Sequence, residues 1–405
     1  MKKKIIINTS TFSSGNSTNT PGFINSLVNS LSSNYSDLEI IVLRPMINVK
    51  EVSYKEANYT VKPYRYFWPL NLQTLHKYGL KPAIDKNRLN ALKVFLLIIC
   101  QFVALLNLIR KEKPDYIYAQ WFMPQGFVTA VASNFTSAKF YCSSYGADVL
   151  IFKNMKLVGR TLIKYIVKKC HKFTAISDLS YSLINDCVDS NEKLMKKGKV
   201  IPLPIDDFFF STQHSEQKFK NNFLYIGRLV DYKGVDLLIE SFNLLDTDIE
   251  FTLNILGDGV DREFLIDKVK ELKLDNKIFF HGWKNGSEKL KFITKSDVVF
   301  IPSVQTKVTM EGGPLTLIEA LSQKKIVICS DSIGYGSYIQ DEINGIKFKS
   351  GDVNDLVNSI KLYLGLSDFE KQKIASSGYE VSLKFKQKDI TDKLYSFLFE
   401  NSQNV

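Results

Sequence analysis

Short runs of apolar, mostly β-branched or aromatic residues recur along this chain. Most are closed by Gly, Pro, Asn or Ser and followed by a segment with helical periodicity. They predict strands at Lys4–Asn8, Glu39–Leu43, Tyr116–Ala119, Lys139–Ser143, Lys172–Ile176 and Lys199–Ile201. A second series covers Phe223–Ile226, Glu250–Leu256, Lys277–Phe280, Val298–Ile301, Ile326–Cys329 and Gly345–Phe348. Strands alternating with helices in this way form parallel sheets covered on both faces. Between the two series, PLPIDDFFFSTQHSEQKFKNN (Pro202 to Asn222) is polar and lacks periodicity, as a linker would be. The pattern predicts an α/β protein with two doubly wound domains, residues 1–204 and 205–380. A C-terminal segment, 381–405, is expected to pack back toward the first domain as a helix with Phe385, Ile390, Leu394 and Phe397 on one side. No repeat of 20 to 50 residues is present.

Length and composition agree. The 405 residues, 45% apolar and 12% aromatic, suffice for two cores of roughly 200 residues each. The longest apolar run, Val94 to Ile109, is interrupted by Gln101 and Asn107. It falls short of the roughly 20 residues that span a bilayer, so a buried helix is expected. The start, MKKKIIINTSTFSSGN, has basic residues but an apolar run of only Ile5 to Ile7. That is too short for a secretory signal, and it reads as the first strand of a cytosolic protein. Five scattered cysteines without a CxxC pair fit a reducing compartment and argue against a disulfide framework or a zinc site.

Charge adds an asymmetry. Residues 1–205 hold 28 Lys/Arg against 12 Asp/Glu, a balance of +16, whereas residues 206–405 hold 25 against 30, a balance of −5. A basic half faces something anionic, either nucleic acid or a membrane surface. The densest part, Lys153 to Lys172, has seven Lys/Arg and no acid. Leu157, Thr161, Leu162, Tyr165 and Ile166 recur there at helical spacing and predict an amphipathic basic helix. Its plain reading is a solvated face, and its functional reading is contact with an anionic membrane. Basic and aromatic residues do not interleave as a nucleic-acid platform requires, so nucleic acid is not an expected partner.

Candidate chemistry gathers in the second domain, at loops leaving the carboxyl ends of predicted strands, where doubly wound sheets bind ligands. Gly227-Arg-Leu-Val-Asp-Tyr-Lys-Gly234 places Arg228 and Lys233 beside a helix start. Gly257-Asp-Gly259 is a turn where backbone can approach a flat ligand. The third loop runs into TMEGGPLTLIEA, Thr309 to Ala320, with Glu311 and Glu319 on either side of a Gly-Gly-Pro turn. Pro314 suits the first helical position, which leaves amides near Gly313 and Leu315 free at the positive end of the helix dipole. A diphosphate fits there, neutralised by Arg228 and Lys233. Glu319 lies about 7 Å along the helix, at 1.5 Å per residue, and suits ribose hydroxyls. Glu311 would face the group beyond the second phosphate, accepting sugar hydroxyls and favouring positive charge at an anomeric carbon.

In these residues and their order the chain resembles the retaining family-four glycosyltransferases, over essentially its whole length and most closely from Asn222 to Phe348. The Glu-x7-Glu signature stands as Glu311 and Glu319, and "ILGDG", "FFHGW" and "SDVVFIPS" follow in family order. The resemblance implies the GT-B architecture, two doubly wound Rossmann-like domains facing a cleft. It also implies a nucleotide-sugar donor, a lipid-linked glycan acceptor of bacterial surface polysaccharide, and no metal or other cofactor. It places Gly22, in "TPGFINSLVNSL", near the donor phosphates. Beside the resemblance, the turn at Gly257 and the backbone at His281 and Trp283, whose plain reading is a structural turn, are candidate contacts for the base. "AQWFMPQG" and "YGADV" are similar to acceptor-side motifs, which makes Tyr145 and Asp148 candidate catalytic residues beside Glu311. Where the family often has His, this chain has Gln120 and Tyr145. A phenol can hydrogen-bond a sugar or phosphate oxygen but cannot do imidazole acid–base work at neutral pH.

Four other readings compete with this one. A metal-dependent transferase of another fold needs Asp-x-Asp; Asp246-Thr-Asp248 matches literally but falls at the wrong edge of the sheet. A nucleotide-sugar epimerase should carry more His than His76, His171, His214 and His281. A plain sugar- or nucleic-acid-binding module leaves the Glu311, Glu319, Arg228 and Lys233 set unexplained. A GT-B protein that binds nucleotide sugar or glycan with impaired catalysis would explain Tyr145. The leading expectation is a metal-independent transferase, peripheral on the inner face of the plasma membrane.

Overall fold

The computed structural model describes residues 2–12, 22–47, 52–56, 58–73, 75, 90–211, 218–246 and 248–400. The chain divides into two compact units. One comprises Met1–Ile176, Ser180–Ile201 and Thr391–Val405, and the other Ser177–Leu179 and Pro202–Ile390.

The first unit is built on β1 (Lys3–Asn8), β2 (Leu38–Pro45), β3 (Tyr54–Lys55), β4 (Tyr59–Tyr64), β5 (Tyr116–Gln120), β6 (Lys139–Ser144), β7 (Lys172–Ala175) and β8 (Gly198–Val200). They form one sheet in the order β3-β4-β2-β1-β5-β6-β7-β8, parallel except for the β3–β4 pair. The helices are α1 (Phe23–Asn34), α2 (Asn90–Glu112), α3 (Phe127–Ala132), α4 (Ala147–Lys153), α5 (Lys156–Lys169), α6 (Asp178–Cys187) and α7 (Glu192–Met195). The sequence pattern missed β3 and β4. Pro63 breaks the β4 run, and it is tolerated because the two-residue β3 pairs only as far as Val61, leaving Pro63 on an open edge.

The second unit contains β9 (Asn222–Ile226), β10 (Thr252–Leu256), β11 (Ile278–Phe280), β12 (Val298–Ile301), β13 (Ile326–Ser330) and β14 (Ile346–Phe348), all parallel, in the order β11-β10-β9-β12-β13-β14. In chain order this is 3-2-1-4-5-6, the doubly wound arrangement whose ligand crevice opens between the first and fourth strands, here β9 and β12. Its helices are α8 (Val235–Asn243), α9 (Arg262–Glu271), α10 (Gly286–Lys295), α11 (Leu315–Ser322), α12 (Val353–Gly365) and α13 (Asp368–Ser382). Phe223, Phe242, Phe300, Leu253 and Ile328 pack one face of this sheet, and Leu224, Val299, Leu317 and Val327 the other. The last helix, α14 (Gln387–Phe399), groups with the first unit from Thr391 onward. There Tyr395 stacks on Tyr35 with ring centroids 3.7 Å apart and donates to Asp37 at 2.6 Å.

Two sequence expectations about helices are corrected. The apolar run does not form a buried helix. It lies in α2, 23 residues long, which buries Leu97, Gln101, Leu105, Leu108 and Ile109 and leaves Leu92, Phe95, Ile99 and Val103 exposed. By length and composition, α2 could cross a membrane. The basic stretch is not one helix either: α4 and α5 are separate, and β7 begins at Lys172. In α5 the buried line is Ile163, Ile166 and Val167, whereas Leu157 and Thr161, expected on the packed side, are exposed. Cations of α4 and α5 are partly answered by acids in and just after α6. Lys153 meets Asp186 at 2.6 Å, and Arg160 and Lys164 meet Asp189 at 2.9 and 2.7 Å.

Candidate active site

The site of the second unit is assembled where the loops after β9, β10 and β12 are stitched together. Val304 N–H donates to Tyr232 O at 2.8 Å, joining the β9 and β12 loops. Gly234, in the left-handed region at φ +67°, lies so close to this loop that a Cβ would come within 2.1 Å of Pro302 O. Leu229 N–H donates to Asp258 O at 2.9 Å, joining the β9 and β10 loops. At Gly257 a Cβ would meet Gly227 O at 1.8 Å, so only glycine lets these turns touch.

This stitching delivers the charged residues. Lys233 Nζ is ion-paired with Glu311 Oε2, and both side chains are largely buried. Ser303 Oγ donates to the same oxygen at 3.3 Å. Arg228 donates to the hydroxyl of Tyr232, and both Arg228 and Lys233 lie over the Tyr232 ring. Beneath them Tyr225 donates to Arg228 O at 3.0 Å, fixing the loop. Burial pushes the Tyr225 phenol well above its ordinary pKa, with Glu311 adding to the shift, so it remains a neutral donor.

The helix after the Gly-Gly-Pro turn begins one residue later than expected: Pro314, with ψ 106°, caps α11, and Leu315 is its first residue. No side chain caps this terminus. Gly313 precedes the cap. Glu319 is buried in the next turn, and its two oxygens accept from Lys289 Nζ of α10 at 2.6 and 2.8 Å. Lys289, whose ammonium also lies 5.2 Å from the Phe209 ring centroid, was not singled out from the sequence. It lies 30 residues from Glu319 on a different helix, and no local motif links them. Gly257 N–H donates to Gly282 O at 2.9 Å, so Gly257 and the half-exposed Trp283 lie near each other in the chain trace. The indole donates to Asn285 at 2.9 Å. His281 is held by Asn254 at 2.7 Å.

In the first unit, Tyr145 donates to Gln120 Oε1 at 2.5 Å and packs with Trp121 and Phe23, ring centroids 4.9 and 5.2 Å away. Gln120 itself is buried. Asp148 is buried and accepts from Phe122 N–H at 2.7 Å, Tyr145 N–H at 3.0 Å and Ser144 Oγ at 3.1 Å. Burial raises its pKa from 3.8 to about 6, against the lowering effect of these bonds. With its acceptors engaged by its own unit, Asp148 is a brace that joins the loop after β5 to the loop after β6. Gly22 caps α1 with open space around it, while Thr20 and Pro21 of its motif lie outside the described residues. His76, His214 and Thr247 also lie outside them. Asp246 sits 3.8 Å from Lys361. Among the described residues, no group of three His, Cys, Asp or Glu side chains could hold a metal ion.

Residues 206–379, which hold Arg228, Lys233, Glu311 and Glu319, match the family described as glycosyl transferases group 1. That match spans most of the second unit. The chain is 24% identical over 331 residues to the lipopolysaccharide 1,6-galactosyltransferase of Escherichia coli K12, covering 78% of this chain and 86% of that protein. It is 31% identical over 142 residues to a Campylobacter jejuni N-acetylgalactosaminyltransferase named for a diphospho-undecaprenol acceptor, covering about a third of each. The structure of Anabaena HepE in complex with UDP superposes with a TM-score of 0.69 at 16% identity, covering 98% of this chain and 99% of that one. The fold is GT-B, with a doubly wound sheet in each unit.

Proposed function

We propose that this protein moves a sugar from a UDP- or GDP-linked donor, with retention at the anomeric carbon, to a lipid-linked glycan. The product would serve assembly of a bacterial surface polysaccharide such as a capsule, O-antigen or exopolysaccharide. The observation that carries this reading is the convergence of the Lys233–Glu311 pair and Arg228 at the β9–β12 switch point, with Glu319 one turn into the helix that follows. Arg228, Lys233 and the uncapped start of α11 supply the positive charge that a leaving diphosphate needs, so no metal is required. Glu319 accepts the ribose hydroxyls. Glu311, held by Lys233 and Ser303, accepts sugar hydroxyls and stabilises positive charge developing at the anomeric carbon. The leaving phosphate takes the acceptor's proton, which accounts for Tyr145 and Gln120 standing where imidazoles are common.

The names of the relatives support a polysaccharide role and a diphospholipid acceptor. The basic first half of the chain, +16 by sequence, supports work at an anionic membrane surface on the cytosolic side. A second reading, a nucleotide-sugar binder with impaired catalysis, is favoured by the Tyr145 phenol bonded to Gln120. The experiment is a panel of UDP- and GDP-sugars with diphospholipid acceptors, with and without EDTA, read by product formation and by the anomeric proton coupling of the product. Retained configuration with EDTA-insensitive turnover is expected. An inverted product contradicts the mechanism, and tight nucleotide binding without transfer to any acceptor favours the second reading.

A further inference from the structure

We infer that the outer face of α2 is a lipid-docking surface, which lies in the plane of an anionic bilayer interface and does not cross it. This deepens the membrane part of the proposed function and rests on it, but moves the contact from the basic α5 to a different element.

Leu92, Phe95, Ile99 and Val103, spaced by three, four and four residues, form one line on α2 and are 42% to 58% exposed. The line runs about 16 Å at 1.5 Å per residue. Phe135 extends it sideways, exposed and 6.4 Å from the Phe102 ring. At the start of the helix Lys93 lies over the ring of Phe67, whose neighbour Trp68 is exposed and carries Arg65 on its ring. At its far end stand Arg110, Lys111 and Lys113. An aromatic and basic rim around an aliphatic line is the composition of an interfacial helix.

The opposite face of α2 rules out insertion across the bilayer. Leu97, Leu105 and Leu108 belong to the core of the first unit. Gln101, also buried, donates to Asn8 of β1 at 2.8 Å. To span a membrane, the helix would have to abandon this core. Docked in place, it offers one face only.

Charge selects lipid over a second copy of the chain. Among the described residues from 58 to 111 there are five Lys/Arg (Lys62, Arg65, Lys93, Arg110 and Lys111) and no acid. Glu112, the next acid, is engaged by Lys4 at 3.2 Å. Two such faces brought together repel, whereas an anionic leaflet attracts them. By contrast Lys153, Arg160 and Lys164 around α5 already have carboxylate partners in their own unit, so less of their charge is left for lipid.

The test uses the full chain and vesicles of phosphatidylethanolamine with phosphatidylglycerol, or of phosphatidylcholine alone, in sedimentation at 0.1 and 0.5 M salt. The wild type is expected to prefer the anionic vesicles and to remain partly bound at the higher salt. Phe95→Ser/Ile99→Ser is expected to lower the partition coefficient at least tenfold, with an unchanged melting temperature. Charge reversal at Lys164, Lys168 and Lys169 should lower it less than threefold. If the wild type binds no vesicles, the membrane part of the proposed function fails. If it binds but Phe95→Ser/Ile99→Ser matches it, the lipid surface lies elsewhere and this inference is overturned. The same holds if the wild type sediments as a dimer that this variant dissociates, because α2 is then a self-association face. Should Phe95→Ser/Ile99→Ser fold poorly, Leu92→Ser at the exposed end supplies the same comparison.

Discussion

Replacing Lys289 with Met tests the least expected contact of the site. Glu319 keeps 7% of its side-chain surface exposed and Lys289 20%, and the two bonds at 2.6 and 2.8 Å join an ammonium to both carboxylate oxygens. Removing one partner of a fully buried ion pair costs about 3–5 kcal/mol, because the other charge is left uncompensated. Here water can follow the lysine's fifth of exposed surface, so the expected loss is nearer ~2 kcal/mol. In a unit of this size each kcal/mol moves the melting temperature by about 2–4 °C, giving a fall of about 4–8 °C. Lys289→Met/Glu319→Gln, which removes the buried charge as well, should recover most of that loss. Under the ribose assignment the lysine also fixes the carboxylate's orientation, so Lys289→Met should weaken a nucleoside diphosphate by about tenfold, or 1.4 kcal/mol. Calorimetric unfolding and titration read both effects. A melting temperature within 1 °C of wild type, or a double variant no more stable than the single one, would refute the reasoning about the pair.

Three further outcomes follow from the geometry. Arg228→Ala or Lys233→Ala should raise the dissociation constant for the diphosphate far more than for the free nucleoside; equal losses would make these residues supports of the loop. Tyr145→Phe should retain most transfer activity while Glu311→Ala loses roughly 100-fold; equal damage would make the phenol a participant. Asp148 gives a pH signature. Because its folded pKa is raised to about 6 from 3.8, its contribution to stability is fully present below pH 3.8 and lost as pH rises through 6. The span corresponds to about 3 kcal/mol at most, at 1.36 per pH unit. Plotted against pH, unfolding free energies of wild type and Asp148→Asn should diverge in slope between pH 4 and 6, and parallel curves would contradict this.

What the sequence made legible follows from how local each signal is. The twelve expected strands all appear, because each buried parallel strand is a run of apolar residues that needs no partner to be recognised. The loops of Arg228, Lys233 and Glu311 were also locatable, since their glycines mark places where backbones touch, as Gly234 against Pro302 and Gly257 against Gly227 show. Contacts between helices were not. Lys289 reaches Glu319 across the second unit, and nothing near either residue announces it. The same limit explains α2: an apolar run reports its composition but not which neighbours cover it, and here one face has none of the core to pack on. Helical spacing also failed on α5, because Leu157 and Thr161 share the period of the buried line but not its phase.

The central claim is that a nucleoside diphosphate lies along α11, with phosphates at Arg228, Lys233 and the helix start and ribose at Glu319. Isothermal titration of UDP and GDP into wild type and Glu319→Ala tests it most directly, with 2′,3′-dideoxy analogues as the control. At least one of the two nucleotides should bind the wild type. Glu319→Ala should weaken it by about 1–3 kcal/mol, the worth of hydrogen bonds to a charged group, while its dideoxy analogue, which lacks the hydroxyls, should bind both proteins alike. Equal affinity of wild type and Glu319→Ala for the intact nucleotide would contradict the account.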